Sequence, residues 1–120
     1  MTRFSKTPDG FIHDALLSVE WYPKSIRTKS WQHAMGQAAA LGEGWRAPTI
    51  DELSSLCDRT RRGPACDPVL NMPYSDWHWS SSAVVGWPEG AWGVYFSNGS
   101  VRDGFRDSSG FVRPVREVLP

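Results

Sequence analysis

The C-terminal third of the chain carries the pattern that most constrains its fold. Apolar residues recur at every second position at Trp92, Val94 and Phe96, which is the period of a half-buried β-strand. Asn98-Gly99 follows at once, and both residue types tolerate the positive φ of a two-residue type I′ turn. The pattern therefore predicts an antiparallel hairpin in which Phe96 pairs with Val101.

That register has one unfavourable consequence. It pairs Trp92 with Phe105 on one face and places Asp103 opposite Val94 on the same face. Because a carboxylate on an apolar face is unfavourable, we expect either a β-bulge at Gly104 or a shifted register. Both outcomes leave a β-meander in this part of the chain.

Tryptophan is unusually frequent, with seven residues in a chain of 120. Each large ring buries about 150–250 Å², so a small domain with many turns can build its core from such rings. We therefore expect most tryptophans in the core and one or two at a binding surface. The length fits a single domain, residues 11–117, preceded by a loosely held arm, residues 1–10.

The charge balance and the hydropathy of the chain exclude two classes of partner. Thirteen basic and thirteen acidic residues give a formal net charge of zero, which argues against nucleic-acid binding through bulk electrostatics. No stretch is long and apolar enough for a membrane helix, so no membrane insertion is expected. The first residues lack the apolar run of a signal peptide, which predicts a cytoplasmic protein, bacterial or phage-encoded, with Cys57 and Cys66 as free thiols. The alternative is a virion or cell-surface protein, in which the two cysteines would be able to form a disulfide.

The first half of the chain predicts a strand region followed by a helix. Leu17, Val19 and Trp21 alternate with polar residues, which predicts a strand within residues 11–22. Ser30 is placed to cap a helix that runs to about residue 41, because apolar residues then recur at helical spacing.

A capping box marks the start of a second helix. Thr49 and Glu52 have the spacing at which each side chain bonds the backbone N–H of the other. We expect this helix to run to about Arg59, with Leu53 and Leu56 facing inward.

A long irregular segment, residues 58–76, follows the second helix. Loops longer than about 12 residues are uncommon in compact domains and are often functional. Helices that precede a run of short strands predict an α+β domain, with the helices packed on one side of the sheet.

A set of motifs in fixed order carries a family resemblance. The motifs are residues 14–21, Trp31 with Ala34, residues 44–49 (Gly-Trp-Arg-Ala-Pro-Thr) with Glu52-Leu53, residues 79–82, residues 91–96 with Asn98-Gly99, and residues 112–116. Together they resemble the bacterial Lcl C-terminal domain family over roughly residues 10–116. The family usually has Leu where Ala47 stands, and often Cys where Pro114 stands.

The resemblance implies a C-type lectin-like fold, with two helices packed against short antiparallel β-sheets and a long irregular loop region. The family includes a surface adhesin whose domain binds sulfated glycans. The residues of the family motifs are expected to serve as scaffold by filling the core or satisfying buried backbone groups. The residues assigned to this scaffold are Trp45, Arg46, Pro48, Trp79, Ser80, Ser81, Trp92, Asn98, Gly99 and Arg113.

The chain lacks the residue sets of common catalytic and metal sites. The calcium motifs of sugar-binding lectins, Glu-Pro-Asn or Gln-Pro-Asp with Trp-Asn-Asp, are absent, and no Cys or His pair has zinc-finger spacing. His78 precedes the serines 80–82, but the Gly-x-Ser-x-Gly elbow and the glycine-rich phosphate loop are missing. We therefore predict a non-enzymatic domain without a cofactor or a metal.

Recognition is the function that these exclusions leave. Arg, Tyr and Trp are enriched in binding hot spots, and the long loop and residues 84–90 supply them. The candidate partner-binding residues are Arg59, Arg61, Arg62, Tyr74, Asp76, Trp87 and Glu89. The alternative interpretation is that the arginine run is simply a solvated loop.

Two functional hypotheses follow. The first is a module that binds a protein partner through its long-loop end, and a phage or mobile-element product that inhibits a host machine is one setting for it. The second is a calcium-independent binder of sulfated or other glycans, as in the adhesin. The sequence does not predict the oligomeric state.

Overall fold

Two β-sheets and two helices make up the computed structural model, which describes residues 2–118. The strands are β1 (Phe4–Lys6), β2 (Ile12–Asp14), β3 (Val19–Trp21), β4 (Ile26–Thr28), β5 (His78–Val84), β6 (Trp87–Tyr95), β7 (Ser100–Phe105), β8 (Gly110–Val112) and β9 (Val115–Glu117). The helices are α1 (Trp31–Ala39) and α2 (Ile50–Ser54), with a 3-10 turn at Pro68–Leu70. The predicted α+β class is confirmed.

The strands are divided between a four-stranded and a five-stranded sheet. The first has the order β1-β2-β3-β9 and the second has the order β4-β8-β5-β6-β7. Strands β5 and β8 are parallel neighbours, and the other pairs are antiparallel. Because β3 pairs with β9, the two ends of the chain meet in one sheet.

The N-terminal segment differs from the single strand predicted over residues 11–22. It forms a hairpin of β2 and β3, because the Asp14 carboxylate accepts bonds from the N–H groups of Leu16 and Leu17 and turns the chain. Residues 4–6, expected in a loosely held arm, form β1 and pair with β2.

The helix starts are confirmed, but both helices end earlier than predicted. Ser30 accepts a bond from the N–H of His33, and Thr49 forms the full capping box. Helix α1 ends at Ala39 instead of residue 41, and α2 ends at Ser54 instead of Arg59. Beyond α2 the Asp58 N–H bonds the Ala65 carbonyl at 2.8 Å, so the backbone there pairs with the long loop. The inward-facing leucines of this region, Leu53 and Leu56, are buried as predicted.

The hairpin of β6 and β7 exists with a shifted register, which is one of the two expected outcomes, but its predicted two-residue turn is wrong. Val94 pairs with Val101 and Trp92 pairs with Asp103, a shift of two residues from the expected pairing. The connection is a four-residue loop, residues 96–99, instead of a two-residue turn.

Burial of Phe96 accounts for the longer loop. Phe96 leaves the strand and is fully buried, and its carbonyl accepts a bond from the Ala65 N–H at 2.6 Å. Gly99 has a φ of +82°, whereas Asn98 stays out of the left-handed region and its side chain accepts a bond from the Ser100 N–H. An apolar anchor therefore outweighs the local preference of Asn-Gly for a tight turn.

Trp77 explains why glycines occur in three strands of the five-stranded sheet. It is 4% exposed, and its indole lies against Gly93 of β6, Gly104 of β7 and Gly110 of β8. A Cβ at Gly104 would overlap the ring, and a Cβ at Gly110 would lie 2.8 Å from it. Gly104 therefore makes room for an indole in an unbroken ladder, and no bulge forms there.

The core lies on both faces of the five-stranded sheet. One cluster packs under α1 and includes Ala34, Trp79 and Val112. The other lies towards α2 and the four-stranded sheet and includes Trp21 and Phe96. The two helices therefore pack on opposite faces of the sheet, and the prediction that both lie on one side is wrong. Four tryptophans are buried, and the half-buried three are Trp31, Trp87 and Trp92. No helix among residues 2–118 is long and apolar enough to cross a membrane.

Candidate functional site

The predicted partner-binding residues fall into separate regions of the structure. Arg59 and Tyr74 lie beside the loop at residues 96–99, whereas Trp87 and Glu89 lie at the opposite end of the β6–β7 hairpin. Six residues of β7 span roughly 17 Å between the two ends. The predicted set therefore does not form one continuous site.

The first region is the loop surface, which we define as Arg61, Arg62 and Tyr74. The Gly63 N–H bonds the Ser97 carbonyl at 3.2 Å, and the Tyr74 ring packs against Gly63, so this loop is docked on the hairpin connection. All three side chains are exposed, and Tyr74 is 50% exposed.

The arginines of this region have different roles. Arg59 donates to the Gly99 carbonyl at 2.6 Å, so it fastens the long loop to the hairpin. Arg61 pairs with Asp58 at 3.2 Å. Hydrogen bonds from Thr60, with a smaller contribution from Arg61, hold the pKa of the Asp58 carboxyl below its usual value. Arg62 makes no ion pair within the described part of the chain, so its charge is available to a ligand.

Asp76 belongs to neither region. Its Oδ2 pairs with the Arg27 guanidinium at 3.2 Å, and its Oδ1 accepts a bond from the Trp77 N–H at 2.8 Å. Arg27 itself stacks over the Phe111 ring. Asp76 therefore holds the chain against β4 and β8, away from the other candidates.

The second region is the hairpin surface, which we define as Trp87, Trp92, Val101 and Phe105. The register places Trp92, Val101 and Phe105 on one face of β6 and β7, because cross-strand partners share a face. The Trp87 indole lies over Gly90 and meets the Phe105 ring edge-on, with centroids 4.9 Å apart.

The hairpin surface is unusually exposed for a set of apolar and aromatic side chains. Phe105 is 59% exposed and Val101 is 38% exposed, while Val85, in the adjoining β5–β6 turn, is fully exposed. Helix α2 and the core cover the same sheet face only at Val94 and Phe96. The far end of the hairpin is therefore left uncovered.

An open groove of about 520 Å³ continues the hairpin surface along β7. It is lined by Trp92 together with Ser100, Val101, Arg102 and Asp103. The sequence pattern did not mark Val101 and Phe105 as surface residues, because it does not show that β7 is an edge strand. That edge position leaves both side chains exposed, although Val101 pairs with the buried Val94.

The scaffold assignments describe most, but not all, of the motif residues. Trp45, Pro48, Trp79, Ser80 and Arg113 are buried. Ser80 donates to the Trp92 carbonyl at 2.6 Å and accepts a bond from the Ser82 N–H, as expected of a residue that satisfies backbone groups. Three motif residues differ in environment: Ser81 and Asn98 are exposed, and Trp92 is half-buried.

Arg46 bonds carboxylates more than backbone. Its guanidinium makes two bonds to Glu52, at 2.7 and 2.9 Å, and a third to Glu117 at 3.2 Å. The bonds from Glu52 are the main reason why the pKa of Arg46 is raised. This network joins α2 to β9 behind the capping box.

A buried polar cluster of Ser25, His78 and Arg113 was not foreseen, because no local pattern connects these positions. The Arg113 Nε donates to Ser25 Oγ at 3.1 Å, and Ser25 Oγ lies 2.7 Å from His78 Nε2. Among the described residues, no partner lies within hydrogen-bond distance of the Arg113 terminal nitrogens or of His78 Nδ1.

The chemistry of this cluster does not favour nucleophilic catalysis. Burial lowers the pKa of His78 well below its usual value, and Arg113 lowers it further, so the imidazole is a weak base. Burial also lowers the pKa of Arg113 to about 10. In the described part of the chain no carboxylate orients His78 Nδ1, so Ser25 and His78 lack the third member of a triad.

Metal-ligand and thiol chemistry has little support in the described residues. Within residues 2–118, no three side chains of His, Cys, Asp or Glu are grouped to hold a metal ion. Cys57 is half-buried and Cys66 is buried, and both are free thiols. Burial raises the pKa of Cys66 to about 11, so it stays protonated at neutral pH.

Comparison with protein families assigns the chain to one of them. Residues 10–116 match the family described as the Lcl C-terminal domain, which covers most of the chain. A search of curated proteins finds no match.

Proposed function

Starting from the fact that this chain belongs to the Lcl C-terminal domain family, we propose that it is a non-enzymatic module that binds a protein partner. The observation that carries the proposal is the hairpin surface. Its side chains are apolar or aromatic, Trp87 packs against Phe105, and Val101 and Phe105 are exposed at the edge of the sheet.

Exposed apolar groups of this kind favour association. A contiguous exposed apolar patch with a polar rim is typical of a protein-interaction site, and aromatic residues dominate binding hot spots. Glu89 and Arg102 are exposed beside the patch and supply its polar rim, whereas Asp103 is exposed within the patch, opposite Trp92. Trp87 and Glu89 of the predicted set therefore belong to the proposed site.

The finer fold assignment is part of the proposal. We assign a C-type lectin-like arrangement because β3 and β9 bring the two chain ends together and two helices flank the sheets. A long loop also connects α2 to β5. An experimental structure that separates β3 from β9 would contradict this assignment.

Glycan binding is the second candidate, and the loop surface favours it. Arg62 has no ion pair in the described chain, and the exposed Tyr74 ring lies beside the same loop. A guanidinium suits a sulfate group, and an exposed ring suits the apolar face of a sugar. This function predicts binding to a sulfated polysaccharide that weakens steeply with salt.

Two variants test the functions against each other. Phe105→Ser alters the hairpin surface and Arg62→Glu alters the loop surface, and each serves as the control of the other. We expect Phe105→Ser to lose a partner captured from bacterial lysate while Arg62→Glu keeps it. Melting temperatures close to that of the parent show that both variants fold.

Heparin retention at low salt provides the second measurement. If Phe105→Ser keeps every captured partner, the proposed protein-binding function is wrong. If heparin is retained by the parent chain and lost by Arg62→Glu, the glycan function replaces it.

A further inference from the structure

We infer that the open edge of β7 binds an extended segment of the partner protein as an added antiparallel strand. This inference rests on the proposed protein-binding function and specifies its partner. The partner segment carries the pattern apolar, any residue, basic, acidic, apolar, in that order from its N-terminus.

Strand β7 is the longest edge strand in the described fold. It is the last strand of its sheet, so only β6 pairs with it. It has six residues, whereas the other edge strands, β1, β4 and β9, have three each. It also has neither a proline nor a bulge, two features by which proteins protect an edge.

The backbone of β7 presents alternate residues to the open side. The Arg106 N–H bonds the Glu89 carbonyl at 2.8 Å, so even-numbered residues of this ladder bond towards β6. Because bonding direction alternates along an antiparallel strand, Val101, Asp103 and Phe105 point their N–H groups outwards. The Phe105 carbonyl already accepts a bond from the Ser108 N–H, which ends the available edge there.

The groove along β7 leaves space beside the open edge of the strand. It is open, has a volume of about 520 Å³ and is lined by four consecutive β7 residues and Trp92. An added strand would lie beside β7, with alternate side chains directly opposite Val101 and Phe105, which are 38% and 59% exposed. Those partner side chains must be apolar to cover the hairpin surface.

The charge pattern of β7 disfavours a second copy of the chain. The residues of β7 that bond outwards are odd-numbered, so in a pair of antiparallel copies an odd-numbered residue must face an odd-numbered one. Registers that meet this condition overlap at most five of the six residues. One such register puts Arg102 opposite Arg102 of the copy, and the other puts Asp103 opposite Asp103. Like charges directly opposite destabilise a pair, so the edge selects a different chain.

Charge complementarity also fixes the centre of the partner segment. Arg102 and Asp103 are both exposed, on opposite faces of β7. The residue opposite Asp103 should be basic, and the next residue of the antiparallel partner, opposite Arg102, should be acidic. With apolar residues opposite Phe105 and Val101, the five-residue pattern follows.

Two synthetic peptides of identical composition test the inference. The probe is acetyl-Ser-Thr-Ile-Thr-Lys-Glu-Val-Thr-Ser-amide, and the control exchanges its Lys and Glu. We expect the probe to bind about tenfold more tightly by isothermal titration, since exchange converts two favourable cross-strand pairs into two unfavourable ones. The double variant Arg102→Asp, Asp103→Arg should prefer the control peptide instead.

A backbone variant tests strand addition directly. Val101→Pro removes an outward N–H without removing a ladder bond to β6, because proline is tolerated where the N–H faces outwards. It should bind neither peptide, whereas the matched variant Val101→Ala keeps the N–H and should retain the preference. Hydrogen exchange at the Val101 and Asp103 amides of the parent should slow when the probe is added.

The outcomes separate this inference from the function on which it rests. Equal affinity for both peptides, no binding of either one, or no reversal in the charge-exchanged variant would overturn strand addition. If Phe105→Ser abolishes partner capture and a folded Val101→Pro does not, protein binding stands and strand addition is wrong. If neither variant affects capture, the proposed function itself fails.

Discussion

The guanidinium of Arg3 and the carboxylate of Asp14 form a bidentate pair, with Nε–Oδ1 and NH2–Oδ2 distances of 2.9 Å each. Asp14 is fully buried and also accepts a bond from the Trp21 indole at 3.0 Å. Arg3 donates in addition to the Ser55 carbonyl at 2.7 Å. The first residues of the domain are therefore fastened to the end of α2 through one buried charge.

Removal of Arg3 should destabilise the fold strongly. We expect Arg3→Gln to lower the free energy of unfolding by about 3 kcal/mol, because it leaves the Asp14 charge buried without its partner. Urea unfolding at pH 7 measures the change. The double variant Arg3→Gln, Asp14→Asn should recover part of the loss, and an unchanged urea midpoint for Arg3→Gln would show that the pair contributes no stability.

The same carboxylate should govern unfolding in acid. Burial raises the pKa of Asp14, but the hydrogen bonds from Arg3 and Trp21 outweigh it and hold that pKa below its usual value. As pH falls, the unfolded state therefore takes up the proton before the folded state does. The stability that the Asp14 carboxylate contributes is complete above about pH 4 and is lost as pH falls through the pKa of the folded state. Urea midpoints measured below pH 4 should fall less steeply for Asp14→Asn than for the parent chain. Equal slopes would contradict this assignment.

His78 should produce a second loss of stability at higher pH. Burial lowers its pKa well below the usual value, with Arg113 adding to the effect. The unfolded state gains a proton near pH 6.5 while the folded state does not, so stability should fall as pH drops from about 7 to 5. His78→Gln should be less stable at pH 7.5 but should lack this slope. A flat parent curve over the same range would show that His78 titrates normally.

The glycines around Trp77 predict a specific rescue. We expect Gly104→Ala to cost about 2 kcal/mol, because its methyl group would overlap the six-membered ring of the indole. Trp77→Phe removes that ring edge, so part of the cost should disappear when both changes are combined. Gly93→Ala is the control, since its Cβ would also lie 2.6 Å from the His78 carbonyl oxygen and should not be rescued. Thermal unfolding of the single and double variants measures the coupling, and additive costs for Gly104 and Trp77 would contradict direct contact.

The two cysteines should react at different rates. Cys66 is 1% exposed and burial raises the pKa of its thiol to about 11, whereas Cys57 is half-buried. A thiol reagent at pH 8 should therefore modify one thiol per native chain well before the second. Cys57→Ala should remove the fast phase, and Cys66→Ala should leave it. In denaturant both thiols should react at the same rate.

The sequence predicted the features that depend on a few neighbouring residues. Ser30 and the Thr49–Glu52 capping box act within four residues, and both helix starts are confirmed. Family motifs also identified the chain, because their order and spacing survive over residues 10–116. Features set by a few neighbouring residues are therefore predictable.

Features decided by distant contacts were not predictable. The hairpin register depended on Phe96, which is anchored by Ala65 of the long loop. The cluster of Ser25, His78 and Arg113 joins three remote segments, and no spacing rule connects them. The candidate surface changed for the same reason, since the pairing of distant strands leaves β7 at the sheet edge, where Val101 and Phe105 are exposed.

The pairing of the terminal strands brings the two ends of the domain close together. Phe4, Asp14, Val19 and Glu117 lie in one row across the four-stranded sheet. Three strand spacings separate Phe4 from Glu117, a distance of roughly 14 Å. A linker of about five residues spans that gap, so the ends could be joined and new ends opened in an exposed turn such as Val85-Gly86. The same geometry would let another protein carry the whole domain as an insertion in one of its own loops.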